Sequence, residues 1–344
     1  MNLIGLTLPE LKEIVTKIGE KPFRANQIWQ WLYLKNAHNF DQISNLPKDL
    51  REKLKENYSI SPPKIIKDLT SKDGTRKWLL NFDGQEIEMV FIPEENRGTL
   101  CISSQVGCTL TCTFCHTGTQ RLVRNLKAGE IIWQFLTARD LLKEKITNIV
   151  FMGMGEPLFN YENVKKSIEI LNDKKGINFS RRRITLSTSG VVPELIKFCD
   201  EINSGLAISL HAANDDLRTK IMAINKKYPL KELLNACKYY AKNNSQKITF
   251  EYVMLKDVND TDEDALALAK LIKANKIHAK VNLIPFNKWD GAEYECSSRN
   301  RIMNFAKILK NNNIEAPIRK TRGEDVMAAC GQLKSLSESK KLIR

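Results

Sequence analysis

Gly107-Cys108-Thr109-Leu110-Thr111-Cys112-Thr113-Phe114-Cys115 carries three cysteines spaced CxxxCxxC. Thiolates set this close can hold three irons of a cubane cluster and leave the fourth open to a small molecule. A structural zinc site asks instead for four ligands, typically in two separated pairs. The sequence has no matching second pair, and His116 directly adjoins Cys115, poor geometry for both to bind one ion. Three idle, buried cysteines would not suit a loop this rich in threonine. An apolar run around Ile102 precedes the stretch, so the cysteines sit on a loop that follows a strand and is opened by Gly107.

Downstream, short β-branched runs alternate with longer helical patterns. Strands are expected at 99–103, 148–152, 183–188, 206–210, 249–254, 280–284 and 316–319, with helix-like segments at 130–143, 161–171, 193–198, 230–240, 262–273 and 299–309. Repeated βα units imply a parallel sheet with helices outside, here a partial or full barrel. Barrel chemistry sits at the C-terminal ends of the strands. Polar motifs fall there: Met152-Gly153-Met154-Gly155-Glu156-Pro157-Leu158, Leu186-Ser187-Thr188-Ser189-Gly190, Ser209-Leu210-His211 and Leu283-Ile284-Pro285-Phe286-Asn287. Glycines permit close backbone approach, and a carboxylate can hold an ammonium group. Hydroxyls and an imidazole can reach a ribose or a carboxylate. Taken singly, each motif reads more simply as a turn or a satisfied strand-end hydrogen bond.

Upstream, Thr7-Leu8-Pro9-Glu10 has the form of a capping box before Leu11, Ile14, Val15 and Ile18 at helical spacing. Residues 1–64 read as a small basic helical domain that binds RNA. Residues 65–92 read as a β-hairpin around Asp83-Gly84 that connects to the core. Residues 93–333 form the core, and 334–344 a flexible tail. The chain of 344 residues is 42% hydrophobic and 27% charged, which excludes global disorder. Its net charge of +14 favours a polyanionic partner or a surface tuned for solubility. No apolar run is long enough for a membrane span, and the first residues lack a secretory leader, so a cytoplasmic protein is expected. Eight cysteines are sparse for a disulfide scaffold.

CxxxCxxC with an aromatic residue before the last cysteine resembles the radical S-adenosylmethionine (SAM) superfamily. The resemblance implies an α/β chain folded as a partial (β/α)6 barrel with a small N-terminal helical domain. It implies one [4Fe-4S] cluster on Cys108, Cys112 and Cys115, with SAM chelated at the open iron. Together with Arg319-Lys320-Thr321-Arg322-Gly323 and Ala328-Ala329-Cys330-Gly331-Gln332-Leu333, the motifs are similar, nearly end to end, to the RlmN-type methyltransferases. These act on C2 of adenine in 23S rRNA and in tRNA.

That family's chemistry implies a role for each matching residue. The Cys330 thiolate takes a methyl group from one SAM. A second SAM, cleaved at the cluster, gives a deoxyadenosyl radical that removes hydrogen from the S-methyl group, and the carbon then adds to C2. Cys101 releases the product through a transient disulfide with Cys330. Glu88, in Ile87-Glu88-Met89-Val90, matches the acceptor of the C2 proton. It faces away from Ile87 and Met89, on the side of Glu86, and could equally face water. Cys101 is the alternative acceptor. Gly155 and Glu156 match contacts to the methionine end of SAM, and Ser187, Ser209, Leu210, His211 and Asn287 match further SAM contacts. Cys199, Cys237 and Cys296 take no role. The implied partners of this monomer are 23S rRNA, tRNA and an electron donor such as flavodoxin or ferredoxin. Arg181-Arg182-Arg183, Lys226-Lys227, Arg319-Lys320 and Arg322 are expected to form a cationic rim for phosphates. Two rivals remain: the sister enzymes that methylate adenine C8 and confer antibiotic resistance, and an RNA-binding protein whose cluster is only structural.

Overall fold

In the computed structural model, which describes residues 1–337 except Asn203 and Ser245, the chain opens with α1 (Leu8–Lys17), α2 (Phe23–Tyr33) and α3 (Lys48–Asn57). Thr7 and Glu10 cap α1 reciprocally. Leu11, Val15, Ile28, Trp29, Leu32, Leu50 and Leu54 recur at helical spacing and are buried.

Three antiparallel strands follow: β1 (Lys64–Thr70), β2 (Arg76–Phe82) and β3 (Gln85–Glu94). Asp83 and Gly84 both take positive φ, the geometry a two-residue hairpin turn requires. The segment expected as a two-stranded connection is therefore three strands, and β3 continues antiparallel onto β4 (Arg97–Cys101). All seven residues of β1 are exposed, so it carries no alternation of burial. Its register with β2 breaks between Ile65 and Lys67.

After β4, a two-stranded ribbon of β5 (Gln105–Val106) and β6 (Arg124–Asn125) brackets the cysteine loop. The chain then runs α4 (Ala128–Leu141), β7 (Asn148–Phe151), α5 (Tyr161–Asn172), β8 (Ile184–Thr188), α6 (Val192–Glu201), β9 (Gly205–Ser209), α7 (Asp215–Ile221), α8 (Leu230–Asn243), β10 (Ile248–Met254), α9 (Asp262–Ala274), β11 (Ala279–Pro285) and α10 (Arg299–Asn311). The sheet order is β1-β2-β3-β4-β7-β8-β9-β10-β11, parallel from β4 onward. Six parallel strands with helices between them make the partial (β/α)6 barrel. The strand expected at 316–319 is reduced to isolated bridges, Lys280 with Glu315 and Leu283 with Ile318. Pro317 lies between them and has no N–H to give a ladder.

A single hydrophobic core runs from Leu3 to Leu333. The N-terminal helices close on the barrel's outer layer. A Cβ on Gly5 would lie 2.2 Å from the Gly129 nitrogen at the start of α4. Trp29 Nε1 donates to Asp173 at 3.2 Å, and Lys166 on α5 pairs with Glu10 at 2.6 Å. Among the described residues no helix is long and apolar enough to cross a membrane. The expected loose tail needs correcting over 334–337. Lys334 N donates to Glu88 Oε2 at 3.0 Å, Ser335 N to Gln120 Oε1 at 3.2 Å, and Ser337 Oγ accepts from Glu86 N at 2.6 Å. Residues 338–344 lie outside the described residues.

Candidate active site

The cysteine loop is closed at its base. Gly107 has φ +76, and a Cβ there would lie 2.2 Å from the Arg121 carbonyl oxygen, so glycine is needed where the loop leaves the ribbon. Cys108 N donates to the Gln120 carbonyl, Cys115 N to that of Cys112, and Gly118 N to that of Cys115. Cys108, Cys112 and Cys115 are free thiols lining one cavity of about 160 Å³ at the C-terminal end of the barrel. Among the described residues no three His, Cys, Asp or Glu side chains converge on a single metal ion. Thiols that each hold a different iron of a cubane do not need to converge. Donor type and shared cavity therefore fit the cluster and not a mononuclear zinc site.

Across that cavity lie Gly155, Glu156, Ser187, Ser209, His211 and Asn287. Gly155 has φ +98, and a Cβ there would lie 2.5 Å from the Gln105 Cβ, so this turn can meet the cluster loop only as glycine. Glu156 is buried, and burial raises its pKa. Its Oε1 accepts from Thr188 Oγ1 at 2.7 Å and Leu158 N at 3.0 Å, and its Oε2 from Ser189 N and Oγ at 2.8 Å each. His211 sits at φ 59 and is held neutral, its pKa pushed down to about 3 by burial and by Arg218. Its Nδ1 accepts from Val253 N at 3.0 Å, which leaves the proton on Nε2. Leu210 departs from this set: its side chain is fully buried in the core, and its carbonyl accepts from Arg218 Nε at 3.1 Å.

A second compartment of about 490 Å³ continues down the barrel interior and is lined by Val90, Thr99, Cys101, Thr249, Glu251, Asn282 and Arg319. Cys330 lines both spaces, and so do Glu251, Asn287 and Arg319. Cys330 is a free thiol that water reaches through the cavity, yet enclosure by protein raises its pKa while Arg319 opposes the rise. Burial, reinforced by Cys330, pushes Cys101 up to about 12. Asn287 Nδ2 donates to the Cys330 carbonyl at 3.0 Å, and His116 N to that of Gly331 at 2.7 Å. The Cys330 loop is thus seated between the tip of β11 and the cysteine loop.

Glu88 does not face water. It is 6% exposed and pairs with Lys77 at 2.8 Å. It lies above Val90 at the barrel mouth, outside the linings of both compartments. Burial raises its pKa against the pull of Lys77.

Three functional side chains escaped the sequence. Arg319, assigned to a phosphate rim, turns into the barrel, 3.8 Å from Glu251. Glu251 on β10 is 3% exposed, and its Oε2 has no hydrogen-bond partner. Arg218, fully buried, donates to the carbonyls of Ser189, Leu210 and Ser209 and so ties the ends of β8 and β9 together. For Glu251 and Arg218 an isolated charge in a β-branched or helical pattern was the only signal, and for Arg319 the neighbouring Lys320 and Arg322 made it look like surface. The rim needs a second correction. Arg181, Arg182 and Arg183 precede β8, at the N-terminal end of the barrel and away from the strand-end motifs.

Comparison with known proteins gives matches over nearly all of the chain. Residues 102–269 match the model of the radical SAM superfamily, and residues 1–60 that of a ribosomal RNA large subunit methyltransferase N-terminal domain. A dual-specificity RNA methyltransferase RlmN of Sinorhizobium fredii is 53% identical, over 98% of this chain and 88% of the relative. One of Agrobacterium fabrum is also 53% identical, over 98% and 89%. The crystal structure of a radical SAM methyltransferase from Sphaerobacter thermophilus superposes with a TM-score of 0.92 at 42% identity, covering 97% of this chain and 99% of that one.

Proposed function

The chain belongs to the RlmN family of dual-specificity radical SAM RNA methyltransferases, and from that premise we propose that it methylates C2 of adenine in 23S rRNA, at the peptidyl transferase centre, and of the adenine next to the anticodon in tRNA. The observation that carries this reading is the place of Cys330, the one thiol among the described residues that lines both the cluster-side cavity and the interior compartment of Cys101. C2 is an amidine carbon with little nucleophilicity, so direct displacement on SAM would alkylate a ring nitrogen instead. When bound, the cluster and SAM supply a transferable methyl group and a 5′-deoxyadenosyl radical.

Cys108, Cys112 and Cys115 would hold the cluster. Gly155, Glu156, Ser187, Ser209, His211 and Asn287, which line the same cavity, would surround SAM. Leu210 contributes only backbone. Cys330 accepts the methyl group and, once that group has lost a hydrogen atom, joins its carbon to C2. Cys101 then attacks the Cys330 sulfur; the bond from that sulfur to the carbon breaks with its electron pair left on the carbon, which takes a proton to become the product methyl group, and the two cysteines are left as a disulfide. Glu88 or Cys101 takes the C2 proton. A small electron-transfer protein such as flavodoxin or ferredoxin would be the electron donor, and the protein works in the cytoplasm as a monomer. Mass spectrometry of 23S rRNA and tRNA from cells with and without the protein tests the proposal. Loss of 2-methyladenosine from both RNAs is expected without it. Loss of 8-methyladenosine, or of neither, overturns it.

A further inference from the structure

Both ends of the loop that carries Cys330 are tied to one buried ion pair. Lys77 on β2 stands opposite Val90 on β3, and Glu88 opposite Leu79, so the two charges are diagonal neighbours on one face of the sheet. They lie 2.8 Å apart, with side chains 9% and 8% exposed. Lys77 Nζ also donates to the Met327 carbonyl at 3.1 Å. The second oxygen of Glu88 accepts from Lys334 N at 3.0 Å. Residues 327 and 334 flank Cys330, and the pair holds one with each charge. Met327 takes φ 52, which a residue with a side chain rarely adopts. The same stretch is secured just upstream, where Gly323 N donates to Asp73 Oδ2 at 3.0 Å and Lys72 N to Asp325 Oδ2 at 3.2 Å.

A buried ion pair is a poor device for stability alone, because desolvation offsets most of the attraction. It is a good device for fixing where a chain segment lies. We propose that the Lys77–Glu88 pair is a clamp that closes the base of the 327–334 loop, and that Lys77 is a positioning residue for Cys330. This rests on Cys330 being the methyl carrier. The carrier sulfur must meet SAM in the cluster-side cavity and Cys101 in the interior compartment. A loop pinned at both ends limits the sulfur to those two encounters. The clamp also gives Glu88 a positional duty separate from any proton transfer, since Lys334 N is held by the oxygen that Lys77 leaves free.

The test uses cluster-loaded protein and three variants: Lys77→Met, Lys77→Arg, and the doubly apolar Lys77→Met/Glu88→Leu. The double variant leaves no unpaired charge buried, so it carries the test if Lys77→Met fails to fold. Deuterium exchange of the peptide spanning 327–334 should quicken at least tenfold in Lys77→Met and in the double variant, with iron content unchanged. RNA methylation should fall at least tenfold in Lys77→Met, and Lys77→Arg should restore both readings. Wild-type exchange in the 327–334 peptide of either unclamped variant would overturn the clamp. So would full RNA methylation by Lys77→Met. An absence of any S-methyl group on wild-type Cys330 would instead overturn the carrier reading, and the exchange data would still judge the clamp.

Discussion

On the proposed route Cys330 must ionise before it can take a methyl group, and its surroundings work against that. Enclosure raises the thiol above its ordinary value, and Arg319 is the main group pulling it back. Below that raised pKa, the thiolate fraction grows about tenfold per pH unit. Methylation of Cys330 by SAM, followed by peptide mass spectrometry between about pH 7 and 9, should therefore rise with pH. Arg319→Gln should move the curve to higher pH, and a flat wild-type profile would show that Arg319 outweighs the enclosure. The second sulfur gives a separable prediction. With Cys101→Ala, the carbon bridge between Cys330 and C2 forms and nothing releases it, so a protein–RNA adduct should persist on denaturing gels. Cys330→Ala and the double variant should give none. Normal turnover by Cys101→Ala would exclude the paired-thiol route. Among the proposed site residues, the three cysteines assigned to the cluster stand out from spacing alone. Cys101 and Cys330 could not, because a cysteine in a strand and another after two alanines look like small core residues. Only the family motif singled them out.

Elements that bury one face announce themselves, and elements that do not stay silent. Parallel strands such as β9, buried at Gly205–Ile208, read as continuous β-branched and apolar runs. β1 was invisible as a strand because all of its residues face water. The strand expected at 316–319 had the right composition, but Pro317 denies it a ladder. The side of the sheet that Glu88 faces was undecidable for a related reason. Alternation says which residues share a face, and only the C-terminal segment folding over that face buries it. The cluster loop offers a test at this scale. Gly107→Ala would force a Cβ onto the Arg121 carbonyl, backbone against backbone, with no flexible side chain to yield. The variant should keep its far-UV circular dichroism but bind well below the roughly four irons of one cubane. A full iron complement would mean the loop base does not set the cysteines.

At the scale of the whole molecule, the charge was legible but its direction was not. Eight basic residues looked like one rim, yet Arg181–Arg183 lie at the opposite end of the barrel and Arg319 points inside it, because order along the chain does not say which end of a strand a turn occupies. Nor did the basic character of residues 1–64 reveal how those helices are fastened. Trp29, 2% exposed, stacks edge-on against Tyr33 at 4.3 Å and donates to Asp173 on the barrel side. Trp29→Ala should lower stability by about 3–5 kcal/mol, read as a lower urea midpoint. A loss under about 1 kcal/mol would mean that the helices contribute little to holding the fold. Among the described residues the sheet ends at β1, with no strand beside its outer edge. Ile65, Ile66 and Leu69 are each more than a third exposed there, beside Lys64, Lys67 and the break in register. Open edges of that kind invite another molecule to add itself as the next strand, and charge and irregular pairing discourage it. Two lysines and one irregularity on β1 should thus limit how readily molecules of this protein join edge to edge as a solution is concentrated.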